Sequence, residues 1–564
     1  MNRDFNQLQS TQFDLVIVGG GIHGAVLAYE AVRAGYRVAL LEKGDFGHST
    51  SANSLKIIHG GIRYLQHGDL PRMRESIVSR RQMMALAPHL VKPLRCLMPT
   101  YGHGIKGREM MRLAFAIYDL IAFDRNKGLP PENHLPCGSS VPRDAVKWIV
   151  PGIAEAGLTG GAIWHDAIVV DSERLVLEYL KEAARYGAAT FNYVEATDVV
   201  MAGNQVAAVQ VRDLASGREF RVGCQTVVNA TGPWLEGLGG GQAGKGRQLW
   251  ATAVNIVVKK QLFQDYAVGL EGYTEFTDKD ALIKRGKRLF FFVPWQGRYT
   301  MIGTTYTPYH GTADGFSLAR EEVAKVLEDI NKIYPHGHLG MDDVSFYHAG
   351  LLPIKESDDS GADSVQLDKS SLIIDHGPQD GRYGLFSIKG VKYTTAPDIA
   401  GKMVGILSGN RWLGKRKKGS YVAVPPRNLD FGPAISQLGW GFEVIKKHLS
   451  LRYGTRWREV FGYIAKNYPK SGNGGALWIS DEPALLACEL QYFIHEEMAL
   501  HLADVVFRRT NLAAAECPSR EFLFLVAGAM AAELGWDAEE QQRQIDDVQK
   551  VFAILQNRGR QQCF

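Results

Sequence analysis

Cysteine is scarce in this chain: six in 564 residues, at positions 96, 137, 224, 488, 517 and 563, with no C-x-x-C pair. That scatter excludes a disulfide framework or a zinc site as the organising device and points to a reducing, cytoplasmic setting. No sign of charge dominates. Lysine and arginine number 64 against 60 acidic residues, a net of +4, so the basic excess of a nucleic-acid binder is missing. No stretch reaches about 18 uninterrupted apolar residues, which argues against a spanning helix. The polar start, Met1 to Gln9, carries no signal-peptide pattern. Repeats and low-complexity tracts are absent, and the 61 glycines fall in recognisable turns.

What is present is the composition of a globular protein, 45% hydrophobic and 22% charged, in a chain long enough for two or three domains. Two apolar segments with helical spacing, Met110 to Phe123 and Glu521 to Trp536, fit core helices first and membrane-surface helices second.

The densest signal lies at the front. Phe13 to Val18 reads as a buried parallel strand and runs into Gly19-Gly20-Gly21-Ile22-His23-Gly24, a G-x-G-x-x-G turn. Helical spacing follows to Gly35, and a second strand, Arg37 to Leu41, ends at Glu42, 18 residues past Gly24. The first glycine permits the tight turn, Gly21 lets backbone N–H groups approach a pyrophosphate, and Gly24 permits close helix packing. A carboxylate at Glu42 suits ribose hydroxyls and disfavours a 2′-phosphate, leaving FAD or NAD. The long polar, glycine-rich segment Gly44 to Tyr64 favours FAD, whose phosphates and flavin edge extend further into the protein.

Thr50-Ser51-Ala52-Asn53-Ser54 and Lys56 to Leu65 carry a closer likeness. So do Ala87-Pro88-His89-Leu90, Asp171 to Leu175, Val228 to Trp234, Val293-Pro294-Trp295 with Ile302 to Thr305, Lys392 to Thr395, and the tail around His495 to Leu500 and Asp504 to Thr510. On these residues the chain resembles the FAD-dependent glycerol-3-phosphate dehydrogenases, within the D-amino-acid-oxidase-like flavoprotein group. The resemblance implies an α/β fold: a Rossmann-type FAD-binding domain, a mixed-sheet substrate domain and an α-helical C-terminal domain. It implies FAD, bound without a covalent link, so His48 is not expected to carry the flavin. The residues expected at the cofactor are Gly19, Gly21, Ile22, His23, Gly24, Glu42, Lys43, Thr50, Ser51, Ser54, Lys56, His59, Gly60 and Gly61, then Ala230, Thr231, Gly232, Gly390, Lys392, Tyr393 and Thr394. A helix starting after Thr394 or Thr395, with Pro397 and Asp398 in its first turn, would aim its N-terminus at the flavin, helped by Lys392.

The departures from the family pattern cluster on the substrate side. Leu352 stands where an arginine is usual, Asn255 where a histidine is, Tyr306 where an aspartate is, and Pro397 where an arginine is. Arginine is the residue suited to bidentate phosphate binding, so these changes bear directly on substrate choice.

The chain is expected to divide into a discontinuous flavin domain (10–75, 155–240 and 350–410), a substrate domain (76–150, mainly helical, and 245–348, strand-rich) and a helical domain (425–560). A hairpin at Gln296-Gly297 and a linker at 414–419 are part of that reading. The activity it supports is oxidation of a secondary alcohol, glycerol 3-phosphate or a related polyol, by hydride transfer to flavin N5. Arg63 and Lys392 are the candidate anion-holding cations, Tyr64 a hydrogen-bonding partner, and His59 and His348 the candidate bases. Oxidation of an amine, amino acid, hydroxy acid or sugar-like substrate is the alternative within flavin chemistry. A non-catalytic flavin-binding partner protein is the alternative outside it. The electron acceptor would be a quinone or oxygen; a quinone would bring the protein to the inner face of a membrane. No metal is expected.

Overall fold

The computed structural model describes residues 1, 3–102, 108–238, 248–277, 285–354, 365, 367–368, 370–409, 442–467, 478–481 and 484–555. The first sheet contains β1 (Phe13–Val18), β2 (Val38–Leu41), β7 (Ala189–Phe191), β10 (Glu219–Asn229) and β17 (Leu385–Lys389), parallel in the order β17-β10-β1-β2-β7. β16 (Leu372–Asp375) is antiparallel on the outer edge, and β8 (Val194–Ala202) and β9 (Gln205–Asp213) extend β10 as a hairpin. The register Ile17↔Leu40, Val16↔Val227 and Val227↔Leu385 brings the carboxyl ends of β1, β2, β10 and β17 to one edge. Parallel strands covered on both faces read as continuous apolar runs, as Phe13 to Val18 does.

The second sheet runs β15-β11-β14-β13-β12-β4-β6-β3. Its strands are β3 (Ile57–Ile58), β4 (Val91–Tyr101), β6 (Leu158–Val169), β11 (Leu249–Val258), β12 (Ala267–Thr277), β13 (Arg285–Trp295), β14 (Tyr299–Tyr309) and β15 (Val344–Ile354), with β5 (Ser139–Pro142) paired to β6. The hairpin turning at Gln296-Gly297 forms as expected, with Trp295 opposite Tyr299. A small C-terminal hairpin joins β18 (Trp478–Asp481) and β19 (Ala484–Leu486).

The helices are α1 (Phe5–Ser10), α2 (Ile22–Arg33), α3 (Leu70–Leu86), α4 (Arg108–Ile121), α5 (Arg143–Ile149), α6 (Ser172–Arg185), α7 (Arg320–Ile333), α8 (His376–Asp380) and α9 (Ala396–Gly409). The C-terminal unit adds α10 (Phe442–Tyr453), α11 (Trp457–Asn467), α12 (Ala487–Glu497), α13 (Arg520–Leu534) and α14 (Ala538–Lys550). α2 lies against α6 and α9 on the first sheet. One apolar cluster runs from Trp164, Trp295 and Phe346 of the second sheet into Tyr453, Phe461, Phe493 and Phe522 of the C-terminal helices.

Three sequence expectations change. β6 falls in the span expected in the flavin domain, but pairs along its length with β4 in the second sheet, Val91↔Val169 to Tyr101↔Leu158. β4 itself lies in the span expected to be mainly helical. Its burial follows its two sheet neighbours rather than a helical stripe, because β6 and β12 flank it on both sides. α4 is a core helix on one face only: Phe115 and Tyr118 are buried, while Met110, Leu113, Ile117 and Leu120 are exposed, as is Phe123 just beyond it. α13 buries Phe522, Leu523, Val526, Ala527 and Met530, as a core helix should. The 414–419 linker lies outside the described residues. Among the described residues no helix is long and apolar enough to cross a membrane, and no cluster suited to a metal occurs.

Candidate active site

The glycine turn is held by contacts that leave no room for a side chain. Gly19 has φ +109°, and a Cβ there would lie 2.6 Å from the Ala230 carbonyl oxygen. A Cβ on Gly24 would lie 1.9 Å from the Gly19 carbonyl oxygen. Glycine is therefore required at both places, by conformation at the first and by close helix packing at the second. The Ile22 N–H, in the first turn of α2, donates to Ser51 Oγ at 3.0 Å. Glu42 accepts from Gly20 N–H at 2.6 Å through one carboxylate oxygen and from Gly44 N–H at 2.7 Å through the other. Each oxygen keeps capacity for a further donor such as a ribose hydroxyl. At the end of β10, Ala230 N–H donates to Val18 C=O, and the Thr231 hydroxyl donates to Asn229 Oδ1 at 2.6 Å. Gly232 follows as the start of a short turn of helix.

His23 stands in the first turn of α2 against the turn after β17; a Cβ on Gly390 would come within 2.4 Å of its ring. Its Nε2 is shut off from solvent and has no hydrogen-bond partner among the described residues. Burial pushes its pKa down to about 4, so the ring is neutral. A buried polar atom without a partner is costly, and a bound cofactor bordering the turn would supply one.

A second group of residues carries acid–base chemistry. His59 is half-exposed; its Nδ1 lies 3.2 Å from Asp166 Oδ2, and its backbone N–H donates to Thr394 Oγ1 at 3.3 Å. Asp166 is buried on β6, where it also accepts from Gly60 N–H at 2.6 Å, Arg80 Nη1 at 2.7 Å and Trp164 Nε1 at 3.2 Å. Burial alone would raise its carboxyl; the His59 hydrogen bond and charge, Arg80 and the Gly60 amide outweigh that and hold it at about 2. Arg80 is itself fixed by His165 C=O and the Tyr118 hydroxyl. Gly60 has no room for a Cβ beside Tyr118 and Arg80, and Gly61 has φ +80°. The Phe291 ring of β13 sits 6.1 Å from the imidazole, so the second sheet borders this group.

Next to it, Lys392 Nζ contacts the Tyr64 hydroxyl and lies 4.5 Å over the Tyr64 ring. Burial, then the charge of Arg63, lowers Lys392 to about 8. A small cavity of about 100 Å³ opens from this pair between α3 and α9, past Arg72, Glu75, Asp398 and Lys402. α9 begins at Ala396, and Asp398 lies in its first turn.

Six residues expected at the cofactor or in catalysis hydrogen-bond to other parts of the protein. Lys56 donates to Ala52 C=O at 2.7 Å, Ser172 Oγ at 2.6 Å and Glu173 Oε2 at 3.0 Å, which uses all three of its donors and pins the 50–56 loop to α6. Ser54 Oγ accepts from the Lys56 N–H inside that loop. Lys43 reaches Asp314 at 2.9 Å and lies 4.1 Å over the Trp234 ring. Tyr393 donates its hydroxyl to Ser172 C=O at 2.7 Å. His348 is enclosed by Trp295 and Phe346, with Nε2 3.1 Å from Ala514 C=O. Burial and the nearby Lys56 drive its pKa well down. The physical cause is register, which sets His348 opposite Asn255 and turns it toward the C-terminal unit. Thr50 ties its loop to β15 through the Leu351 carbonyl at 3.4 Å.

Asp166 and Arg80 were not singled out from the sequence. The available signal was one acid, next to His165, in the otherwise apolar run Ala162 to Val169. The four departures divide between the second sheet and α9. Asn255 is buried and accepts from Thr304 Oγ1 at 2.6 Å; Leu352 lies opposite Ala251, and Tyr306 opposite Ala253, on the adjoining strands β15, β11 and β14. Pro397 is buried in the first turn of α9.

A parallel sheet with a glycine turn and a ribose-side acid, covered by a second sheet that brings a histidine–aspartate pair to its open edge, defines a dinucleotide-binding oxidoreductase. Comparison with known proteins is more specific. Residues 14–404 match the family model described as FAD dependent oxidoreductase, and residues 432–541 match the C-terminal domain of alpha-glycerophosphate oxidase. The chain belongs to the FAD-dependent oxidoreductase family, and FAD is its cofactor.

Glycerol-3-phosphate dehydrogenase of Synechocystis sp. is 28% identical over 96% of this chain and 97% of its own length. Alpha-glycerophosphate oxidase of Streptococcus pyogenes serotype M1 is 28% identical, covering 97% and 96%. The fold also matches the solved glycerol-3-phosphate dehydrogenase from Bacillus halodurans complexed with FAD, with TM-score 0.71 and 23% identity, over 99% of this chain and 98% of that one. The residues of the cleft fit FAD: the side-chain-free turn, the free capacity of Glu42 and the unpartnered Nε2 of His23 lie along one edge of the first sheet.

Proposed function

We propose that the protein oxidises the secondary hydroxyl of glycerol 3-phosphate or a closely related polyol to a ketone. The observation that carries this reading is the half-exposed His59, backed by buried Asp166 and joined through Thr394 to the segment bearing Lys392. FAD, when bound, would supply the hydride acceptor. His59 takes the hydroxyl proton on Nε2, because Nδ1 faces Asp166. Asp166 orients the ring and stabilises the positive charge it gains. Lys392 and Arg63 hold the anionic end of the substrate, and Tyr64 orients it beside Lys392. Along the cofactor, the α2 N-terminus with Ser51 faces the pyrophosphate and Glu42 the ribose. The relatives named for glycerol 3-phosphate support the substrate.

The test is anaerobic mixing of the yellow protein with glycerol 3-phosphate, followed by loss of visible flavin absorbance. Fast bleaching is expected. A flavin reducible by dithionite but unchanged by glycerol 3-phosphate would overturn the substrate and lead to polyols, sugars and amines.

The electron acceptor on this reading is a quinone met at a membrane surface. In support, α4 exposes Met110, Leu113, Ile117 and Leu120, followed by exposed Phe123, while Trp148 on α5 is 82% exposed. An exposed apolar helix face of this kind marks an interaction site. Vesicle flotation should recover the protein and fail for Leu120→Glu with Phe123→Glu. Turnover supported by oxygen at the rate given by a soluble quinone analogue would remove the quinone preference.

A further inference from the structure

The C-terminal unit meets the cofactor half of the molecule at α6, where Glu497 pairs with Arg174 and Lys181, and at the loop that follows Glu42. Asp45 is buried three residues after Glu42. It accepts from Arg508 Nε at 2.5 Å and from both terminal nitrogens of Arg509, with Nη2 at 3.0 Å. Asn192 Nδ2 also donates to it at 3.0 Å while reaching Met498 C=O at 2.8 Å. Arg509 continues to Glu497 C=O at 2.6 Å, and Arg508 to Asp504, which accepts from the Tyr193 hydroxyl at 2.7 Å. The loop around Asp45 in turn holds the glycine turn. Gly47 N–H donates to Gly20 C=O at 3.0 Å, Phe46 packs where a Gly20 Cβ would be, and Gly44 N–H fixes the Glu42 carboxylate. The mechanism uses neither arginine, yet Arg509 is buried, Arg508 is nearly so, and both are aimed at one carboxylate.

We propose that Arg508 and Arg509 are positioning residues for FAD: the C-terminal helical unit clamps the ADP end of the cofactor site by holding Asp45 and, through it, the 44–48 loop. This rests on the reading that the glycine turn and Glu42 bind the ADP half. A fully hydrogen-bonded buried carboxylate of this kind resists displacement, so the loop keeps the position that orients Glu42 and Gly20. Coupling between binding events is reciprocal. FAD therefore strengthens docking of the C-terminal segment by the same factor by which docking strengthens FAD binding. A purely structural pair would stabilise both forms of the protein equally.

The test uses the full chain with and without FAD. In the wild type, FAD should slow backbone hydrogen exchange in residues 504–510 at least tenfold, although these residues do not border the glycine turn. Unchanged exchange overturns the coupling. Arg509→Gln should release FAD at least tenfold faster and shrink the rise in melting temperature on adding FAD, with Arg509→Lys recovering part of both effects. An equal fall in melting temperature with and without FAD would assign the arginines to stability alone and overturn the proposal. Glu42→Gln separates the premise from the inference. If it leaves FAD affinity unchanged, the reading of the ADP site fails and takes the proposal with it. If it weakens FAD while the exchange of 504–510 ignores FAD, only the clamp fails.

Discussion

The cofactor half and the acid–base half of the proposed site are built differently. The cofactor half is a contiguous run, Phe13 to Glu42, in which strand, turn, helix and acid are neighbours in sequence. The acid–base half is assembled from His59, Arg80, Asp166 and Lys392, on four separate segments, with His59 and Asp166 107 residues apart. A turn that approaches a pyrophosphate needs particular backbone geometry, and the residues permitting that geometry are few. An acid–base pair needs only two side chains at the right distance, and many sequences supply that.

The cofactor half should therefore fail sharply. Gly24→Val should abolish flavin retention, because even the first added carbon meets the Gly19 carbonyl at 1.9 Å. Overpacking of this kind costs about 1–3 kcal/mol or more, and the measurement is flavin per protein after purification. Wild-type flavin content in that variant would break the account of the turn. The acid–base half should lose rate while keeping its cofactor. His59→Gln or Asp166→Asn should slow anaerobic flavin reduction by about 10²–10⁴, the usual worth of a general base, with the flavin spectrum retained. A loss below tenfold would move the base elsewhere.

Lys56 sharpens the contrast because it lies in the family-like segment and spends all three donors on Ala52, Ser172 and Glu173. Lys56→Met leaves Glu173 buried without its cation and should cost about 3–5 kcal/mol of stability. Denaturant unfolding measures that loss, and the reduction rate of the folded, flavin-loaded fraction should stay near wild type.

The smallest effect is the pH dependence of substrate binding. A lysine lowered to about 8 carries its charge below that pH and loses it above. KM for an anionic substrate should therefore rise as pH passes through about 8, and the rise should disappear in Lys392→Met, whose KM is high throughout.

Much of the fold was legible early, though unevenly. The first βαβ unit and the hairpin at Gln296-Gly297 follow from local turn chemistry, and the helix expected after Thr395 begins at Ala396. β6 was placed with the flavin-domain span and β4 in a span read as helical, because an apolar strand does not state its partner. His348 was a reasonable base by residue type, but the β15–β11 register turns it toward Ala514. Asp166 escaped notice because a single acid in a strand says nothing of the histidine and arginine it will meet.

The sequence by itself determined the cofactor class, since glycine spacing and a terminal acid are demands of backbone approach to a dinucleotide and are met within about thirty residues of chain. It also determined where the family pattern changes, at Asn255, Tyr306, Leu352 and Pro397. Only the tertiary structure decided which partners each charged side chain meets. Lys56, Asp45, Arg508 and Arg509 look no different from Lys392 or Arg63 in a linear chain. Burial makes the difference: a charge closed off from water must be answered by fixed partners, and those partners come from residues that only folding brings together.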